Sequence, residues 1–191
     1  MAGRQARTLT DTIVRRTLSV THARRLGKRD QVIILLSLRA GLRACEIAGL
    51  NWSMVLDANG RVGSSIALPD TIAKMGSGRR IPMHPDLRTA LTQLAAPTAR
   101  IGPVVTSAKG GHLRPNSIVN WFTALFAEVG AAGCSSHSGR RTFITNAARK
   151  AHRSGATLRD VQLLAGHKSI EVTQRYIDGD SDAQRRLVHS L

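Results

Sequence analysis

Most of the sequence alternates between stretches of helical periodicity and short polar breaks. In eight stretches apolar residues recur every three or four positions, the pattern of a helix with one buried face. The predicted helices cover residues 11–23, 30–40, 44–50, 86–96, 117–129, 138–154, 157–165 and 170–177. Glycine or proline stands at several of the breaks, where helices commonly end or begin. Thr157 and Ser169 are the predicted N-caps of the last two helices.

Residues 57–83 have a different pattern, with short apolar runs between turn residues. These runs predict strands at 64–68, 71–74 and 79–83, with the glycine-containing stretch 75–78 as the tight turn of a hairpin. A further short strand is predicted at 104–105. The predicted fold class is therefore mainly α with a small β-hairpin or three-stranded sheet.

The whole chain, residues 1–191, is predicted to form one domain, because neither an internal repeat nor a low-complexity segment divides it. Residues 1–26 are expected to be a basic N-terminal extension with the first helix, and residues 1–10 are expected to fray. Residues 177–191 are expected to be a C-terminal tail.

The composition points to a polyanionic partner. The chain has 28 Lys and Arg against 12 Asp and Glu, a formal net charge of +16, and 23 of the basic residues are Arg. Such an excess is typical of nucleic-acid binding, and Arg favours bidentate contacts with phosphate. Phe, Trp and Tyr make up only 3% of the residues, so stacking on unpaired bases is not the expected binding mode. Duplex DNA held through its phosphates is predicted instead.

Other classes of protein are excluded by simple patterns. Cys45 and Cys134 lie far apart without a CxxC motif, so neither a disulfide framework nor a metal site is predicted. Apolar runs are too short to span a bilayer, and the first ten residues lack the apolar core of a signal peptide. We therefore expect a soluble protein in a reducing compartment.

Two polar clusters lie in the first half of the chain. Arg43 follows a glycine at a predicted helix junction, and Glu46 lies one helical turn later, where it can brace an arginine. Lys74 precedes the predicted hairpin turn and is followed by Arg79 and Arg80, so it could reach into a groove of DNA. Taken alone, each cluster is more simply explained as an ordinary surface charge.

Two further clusters lie in the last third. His137 and Arg140 share one face of the predicted helix, and a proton acceptor beside an anion-binding arginine suits phosphoryl chemistry. His167 follows Gly166, and nine residues later comes Tyr176, the only tyrosine. A phenol is a poor nucleophile unless cations and a base assist it. Residues 157–177 also have the pattern of a helix-turn-helix, so DNA recognition without catalysis stays open.

Together these clusters resemble the catalytic domain of the tyrosine recombinase (phage integrase) family. The stretches that carry the resemblance are GLRACEIAGLNW, TIAKMGSGRRIPMH, HSGRRTFIT and LLAGHKSIEVTQRYI, which occur in the family's order between about residues 30 and 176. The resemblance implies the family fold and its reaction. In that reaction a tyrosine attacks a backbone phosphate of duplex DNA, forms a 3′-phosphotyrosyl link and releases a 5′-hydroxyl, and a second strand then reverses the step.

The resemblance also implies a role for each matching residue. Tyr176 matches the nucleophile, and Arg43 and Arg140 match the pair that clamps the non-bridging oxygens. The remaining matches are His167 as a further hydrogen-bond donor to the phosphate, Lys74 as the general acid for the leaving 5′-oxygen, His137 as the general base, and Glu46 as an acidic support. Four more basic residues are candidate DNA contacts: Arg79, Arg80, Arg141 and Lys168.

Cofactors and partners follow from the same resemblance. The reaction needs neither a metal ion nor ATP, and the sequence has no Walker A motif. Double-stranded DNA is the expected partner, with a homotetramer on DNA and possible accessory proteins or partner subunits. The C-terminal tail is expected either to contact a neighbouring subunit or to be a frayed terminus. The implied setting is the cytoplasm of a bacterium, with the gene on its chromosome, a phage or a mobile element.

The chain departs from the family pattern in three places. Arg141 stands where members often carry His, and Ser138 and Gly139 stand where an apolar residue is usual, which is expected to loosen that helix start. Only about thirty residues precede the catalytic region, where typical members carry an N-terminal helical domain. The sequence is therefore either part of a longer protein or similar to the short single-domain members, such as the fimbrial-switch invertases.

Two alternatives to a recombinase remain at this stage. One is a helix-turn-helix regulator or a recombinase relic that binds DNA without cutting it. The other is a type IB topoisomerase-like enzyme, which shares the chemistry but relaxes DNA without exchanging partners. Within the recombinase interpretation, integration, excision, inversion and resolution are not separable from the sequence.

Overall fold

The computed structural model describes residues 6–73, 76–95, 100–176, 185 and 188–189. In these residues the helices are α1 Asp11–His22, α2 Gly27–Arg39, α3 Ala44–Gly49, α4 Pro85–Leu94, α5 Pro115–Glu128, α6 Ser138–Ala151, α7 Leu158–Ala165 and α8 Ile170–Gln174. The strands are β1 Ser65–Leu68 and β2 Arg79–Pro82, and short 3-10 turns cover Trp52–Met54 and His152–Ser154. The mainly helical fold class is confirmed.

Helix α2 forms the centre of the main core. The run from Val32 to Leu36 is almost fully buried, because α1, α4 and α6 all pack against this helix. A second, smaller cluster joins α6 to α7 through Ile144 and Val161, and Tyr176 packs against it. The segment that carries Tyr176 is therefore held by a small core of its own beside the main one.

The hairpin is smaller than predicted. β1 and β2 pair antiparallel, with Ser65 opposite Pro82 and Leu68 opposite Arg79. The predicted strand at 71–74 is wrong for its described residues, which form turns: the N–H groups of Ile72 and Ala73 both donate to the carbonyl of Pro69. The described part of the sheet thus has two strands, and the three-stranded alternative is not supported. Lys74 lies outside the described residues.

The strand predicted at 104–105 is also wrong. These valines are buried, but the backbone on either side of them makes isolated bridges, between Asn51 and Pro103 and between Thr106 and His112, and the Val104 N–H donates to the Leu50 carbonyl. Proline has no N–H to extend a ladder, so the apolar pair is buried without forming a strand.

The described residues of the N-terminal segment are more ordered than predicted. Leu9 is buried, and its N–H donates to Thr142 Oγ1 of α6 at 2.7 Å. The N–H of Arg7 donates to the carbonyl of Gly133. Fraying is therefore wrong for residues 6–10, because this segment packs along the start of α6. Helix α2 also begins three residues earlier than predicted, at Gly27.

Several helix boundaries agree with the expected capping. Thr157 caps α7 with its hydroxyl and forms a capping box with Asp160, and Pro115 begins α5. Helix α8 is shorter than predicted and ends at Gln174. Within the ranges described, none of the helices combines the length and the apolar character needed to cross a membrane.

The predicted loosening at the start of α6 does not occur. Ser138 is fully buried, and its Oγ accepts the N–H of Ser135 at 2.9 Å. A Cβ on Gly139 would lie 2.4 Å from Ser37 Oγ, so α6 approaches α2 more closely than a larger residue would allow. The small residues fix this helix start against α2 instead of weakening it.

Gly41 makes the turn that connects α2 to the first polar cluster. Its φ is +64°, and a Cβ there would lie 2.4 Å from Phe143 Cδ1. Gly41→Ala is therefore expected to lower the free energy of unfolding by about 3 kcal/mol, from left-handed strain and the clash combined. Chemical denaturation measures this loss. Gly60→Ala is the matched control, since Gly60 has φ +68° but open space around it. An equal loss of unfolding free energy in both variants would show that the contact with Phe143 does not contribute.

Candidate active site

Arg43 and Glu46 form the first part of the site at the start of α3. Arg43 is the N-cap, and its N–H donates to Glu46 Oε2 at 2.9 Å. Its side-chain Nη1 donates to Oε1 of the same carboxylate at 2.9 Å. Glu46 is fully buried, and a buried carboxylate is stable only when it is paired. The bracing predicted from the spacing is thus present.

Arg79 supplies the second partner of Glu46. From β2, its Nη1 and Nη2 approach Oε1 and Oε2 of the carboxylate at 3.0 and 3.1 Å. Burial alone would raise the pKa of Glu46, but the hydrogen bonds and charges of Arg79 and Arg43 outweigh it and lower the pKa. The Arg79 side chain is only 6% exposed, so the structure does not present it as the DNA contact expected from the sequence.

Arg140 lies at the centre of the site, on the first turn of α6. Its Nη1 donates to the carbonyl of Gly41 at 2.5 Å, and its Nη2 donates to the carbonyl of Ala165 at 2.6 Å. Burial, followed by repulsion from Arg43, lowers the pKa of Arg140 to about 10, so it keeps its charge at neutral pH. With the contact to His167, these bonds use three of the five N–H donors of the guanidinium and leave two for a ligand.

His167 contacts Arg140 from the end of α7. Gly166 ends that helix in the left-handed conformation, φ +62°, and so turns the chain toward the site. His167 Nε2 lies 3.1 Å from Arg140 Nη2, and Nδ1 lies 2.9 Å from Thr173 Oγ1. Since a guanidinium can only donate, Nε2 is the acceptor and Nδ1 carries the proton. In this structure His167 therefore does not present a phosphate donor at Nε2.

The low pKa of His167 predicts how the free energy of unfolding changes with pH. Burial, followed by the charges of Arg140 and Arg43, lowers its pKa from 6.5 to about 4. Between these two values the unfolded chain binds more protons than the folded one, so stability from this residue rises with pH. The free energy of unfolding is expected to increase from pH 4.5 to 6.5 more steeply in the native chain than in His167→Gln. Urea unfolding at several pH values measures both slopes, and identical slopes would contradict the assignment.

Tyr176 lies where α8 ends. Its ring stacks on that of His167 with 5.4 Å between centroids and 22° between planes. The guanidinium carbon of Arg141 lies over the same ring, 5.6 Å from its centroid. The backbone carbonyl of Tyr176 accepts a hydrogen bond from Thr145 Oγ1 at 3.3 Å. Arg141, predicted to contact DNA, is thus also a neighbour of the candidate nucleophile.

A cavity of about 530 Å³ opens beside this ring. Its lining includes Tyr176, His137, Arg140 and Arg141, and none of its described lining residues is acidic. The structure thus places the predicted general base and one predicted phosphate clamp in the same cavity as the predicted nucleophile. A cationic cavity around a phenol can hold a phosphodiester and offset the charge that develops when its phosphorus is attacked.

Two residues of this cavity were missed from the sequence. Arg7 and Arg175 both line it. Arg7 was assigned to a fraying terminus, and nothing in its local sequence indicates that it packs against Gly133, 126 positions away. Arg175 directly precedes Tyr176, and this adjacency was the one available signal.

The remaining candidates surround a second groove. Arg80 and Lys168 line a groove of about 700 Å³ between the hairpin and the end of α7. Both side chains belong to exposed residues, and Arg80 Nη1 donates to Ser65 Oγ at 2.8 Å. Their position is consistent with DNA contacts.

The chain is similar to known proteins over most of its length. The phage integrase family profile matches residues 7–182. A tyrosine recombinase XerC from Rhodospirillum centenum is 31% identical over 169 residues, which is 86% of this chain and 46% of that protein. The chain spans about half the length of the XerC proteins that it matches.

Solved structures share the fold. The crystal structure of XerA recombinase has a TM-score of 0.74 at 19% identity, and the match covers 98% of this chain and 65% of the XerA chain. The Tn1549 transposon integrase, in complex with a circular intermediate DNA, has a TM-score of 0.71 at 22% identity and covers 100% of this chain and 67% of its own. Since the family profile matches nearly the whole chain, the chain belongs to the phage integrase family.

Proposed function

We propose that this chain is the catalytic region of a site-specific DNA recombinase that cleaves and rejoins duplex DNA through a 3′-phosphotyrosyl link. The observation that carries the proposal is the position of the only tyrosine in a cationic cavity that also contains His137 and Arg140. The XerC relatives are tyrosine recombinases, and the Tn1549 integrase is bound to DNA, which supports DNA as the substrate.

In the proposed cleavage step Tyr176 attacks the phosphorus of a backbone phosphodiester. The phenolic proton passes to His137, the new bond joins phosphorus to the phenolic oxygen, and the bond from phosphorus to the 5′-oxygen breaks. Lys74 donates the proton that the leaving 5′-oxygen needs. One phosphoester replaces another, so a 5′-hydroxyl can reverse the step without an external energy source.

Arg43 and Arg140 are proposed to stabilise the transition state. The attacked phosphate gains negative charge on its non-bridging oxygens, and preorganised guanidiniums are strong donors to such oxygens. Arg43 is held by Glu46, while Arg140 is held by two backbone carbonyls, so neither side chain has to be ordered during the reaction.

His167 is proposed to change its role when DNA binds. In this structure Nε2 accepts a hydrogen bond from Arg140. Burial and, after it, the charges of Arg140 and Arg43 hold the pKa of His167 low. A bound phosphate would offset the arginine charges and so would favour the doubly protonated ring. That ring could then donate to the phosphate from Nε2.

DNA contacts away from the cleaved phosphate are proposed for Arg80, Arg141 and Lys168. Assembly as a homotetramer on DNA, with accessory proteins or partner subunits and action in the bacterial cytoplasm, is the corresponding proposal for the complete protein. The C-terminal residues 177–184, expected to contact a neighbouring subunit, lie outside the described ranges.

A covalent trap tests the proposed function. The purified chain is incubated in EDTA with a pool of random-sequence duplexes, each nicked near its centre so that cleavage releases a short fragment. Adducts that survive SDS are recovered and sequenced, with Tyr176→Phe as the control. Adducts from the native chain alone would establish the reaction and give the preferred site. Salt-sensitive binding without adducts would favour a binding module. Adducts without strand exchange between two duplexes would favour a topoisomerase.

A further inference from the structure

Arg79 is buried at the meeting point of three segments of the site. Besides its two bonds to Glu46, its Nε donates to the carbonyl of Leu164 at 2.8 Å, and its Nη1 donates to the carbonyl of Ser77 at 3.3 Å. These contacts occupy all three nitrogens of the guanidinium. The four bonds use four of its five N–H donors, so a side chain that is 6% exposed has little left to offer a DNA phosphate.

One partner of Arg79 holds a proposed phosphate clamp, and another is adjacent in the chain to a group that holds the second clamp. Glu46 binds Arg43 through the same Oε1 that accepts from Arg79. Leu164 is next to Ala165, whose carbonyl accepts from Arg140. The two arginines thus bond successive carbonyls at the C-terminal end of α7, where carbonyls lack helical partners and cations are favoured.

The charge balance also depends on this contact. The fully buried Glu46 carboxylate lies between the guanidiniums of Arg43 and Arg79. The guanidinium of Arg140 is nearby, and repulsion from Arg43 and Arg79 disfavours its charged form. Removing Arg79 would leave the carboxylate with Arg43 as its one charged side-chain partner among the described residues. A buried carboxylate with less compensation tends to take up a proton, and a neutral Glu46 would hold Arg43 less firmly.

We infer that Arg79 is a positioning residue for DNA cleavage, which holds the Glu46 carboxylate and through it the guanidinium of Arg43. The inference rests on the proposed function and names a residue that supports the phosphate clamp without touching DNA. Its distance from Glu46 in the sequence, 33 positions, explains why its basic character alone suggested a surface contact.

The first test compares Arg79→Met with Arg80→Met, its exposed neighbour. Arg79→Met is expected to keep duplex affinity and its salt dependence while lowering the single-turnover cleavage rate at saturating protein by about 100-fold. Arg80→Met is expected to weaken duplex binding. It is also expected to reduce the salt slope, which is the slope of the logarithm of the binding constant against the logarithm of the salt concentration, by about one. If Arg79→Met instead reduces the salt slope by the same amount and cleaves at the native rate once saturated, Arg79 is a DNA contact and the inference is wrong.

A second test identifies which part of the chemistry Arg79 supports. A duplex with sulfur in place of the bridging 5′-oxygen has a leaving group that needs no proton. This substrate is expected to restore cleavage by Lys74→Ala but not by Arg79→Met, because Arg79 acts on the clamp. Restoration of Arg79→Met would show that it acts through the general acid and would overturn the inference.

A pH profile separates positioning from a general loss of structure. Among the residues that the structure describes, the charged groups that face Glu46 are Arg43, Arg79 and, farther away, Arg140. In Arg79→Met the pKa of Glu46 is expected to rise, so the cleavage rate should fall more steeply as pH is lowered than it does in the native chain. Adding Glu46→Gln to Arg79→Met should remove this extra pH dependence. An unchanged profile would contradict the inference.

Folding is checked by circular dichroism and urea unfolding. Arg79→Lys, which keeps the charge but not the bidentate geometry, replaces the Met variant in the cleavage-rate and bridging-sulfur tests if that one does not fold. Adduct formation by the native chain is measured in parallel. Absence of native adducts would count against the proposed function, whereas native adducts with an unaffected Arg79 variant would count against this inference alone.

Discussion

Tyr176→Phe is expected to abolish covalent adducts while leaving duplex binding unchanged. The substitution removes only the phenolic oxygen, which is the proposed nucleophile. The ring keeps its stacking on His167 and its position under the guanidinium of Arg141. The packing against the small core of α6 and α7 is kept as well. The measurement is SDS-resistant adduct formation on nicked duplexes, with affinity determined in parallel at two salt concentrations.

The control for this prediction is the site of attachment. Tryptic digestion of the native adduct should give a DNA-linked peptide that contains Tyr176. An adduct of normal yield in the Phe variant would place the nucleophile on another side chain. A loss of binding together with cleavage would mean that the hydroxyl is needed for the structure of the site, and the catalytic assignment would then lack support.

Local parts of the fold and site were predictable from the sequence because neighbouring residues determine them. The spacing of Arg43 and Glu46 places them one helical turn apart, and the structure pairs them. The cap at Thr157 and the break at Gly166 depend on only a few residues and are both present. The helical periodicity likewise identified each long helix to within a few residues.

Contacts between distant segments were not predictable in the same way. Arg79 looks like Arg80 in the sequence, yet one is buried against Glu46 and the other is exposed. The bond from Arg140 to the carbonyl of Gly41 joins residues 99 positions apart, and Arg7 reaches the cavity only because Leu9 is anchored on α6. Nothing local distinguishes these partners, since it is the packing of segments far apart in the sequence that brings them together.

Arg140→Ala is the second substitution with a large expected effect, and it acts on both stability and cleavage. The side chain is 4% exposed and bonds the carbonyls of Gly41 and Ala165. Truncation leaves two buried acceptors without these partners, at a cost of about 1–3 kcal/mol each. Removing a charged donor to the attacked phosphate is expected to cost about 3 kcal/mol or more of transition-state stabilisation, roughly a 100-fold slower cleavage.

The two effects can be separated because they are measured on different quantities. Urea unfolding gives the stability loss, and single-turnover cleavage at saturating protein, at a temperature where the variant is folded, gives the loss in the chemical step. Arg140→Lys is the informative companion: an ammonium keeps the charge, but it lacks the planar fork that spans two carbonyls and a phosphate. If Arg140→Lys partly recovers the free energy of unfolding but not the cleavage rate, the planar guanidinium of Arg140 is required for the reaction itself. Native cleavage by Arg140→Ala would remove this arginine from the proposed clamp.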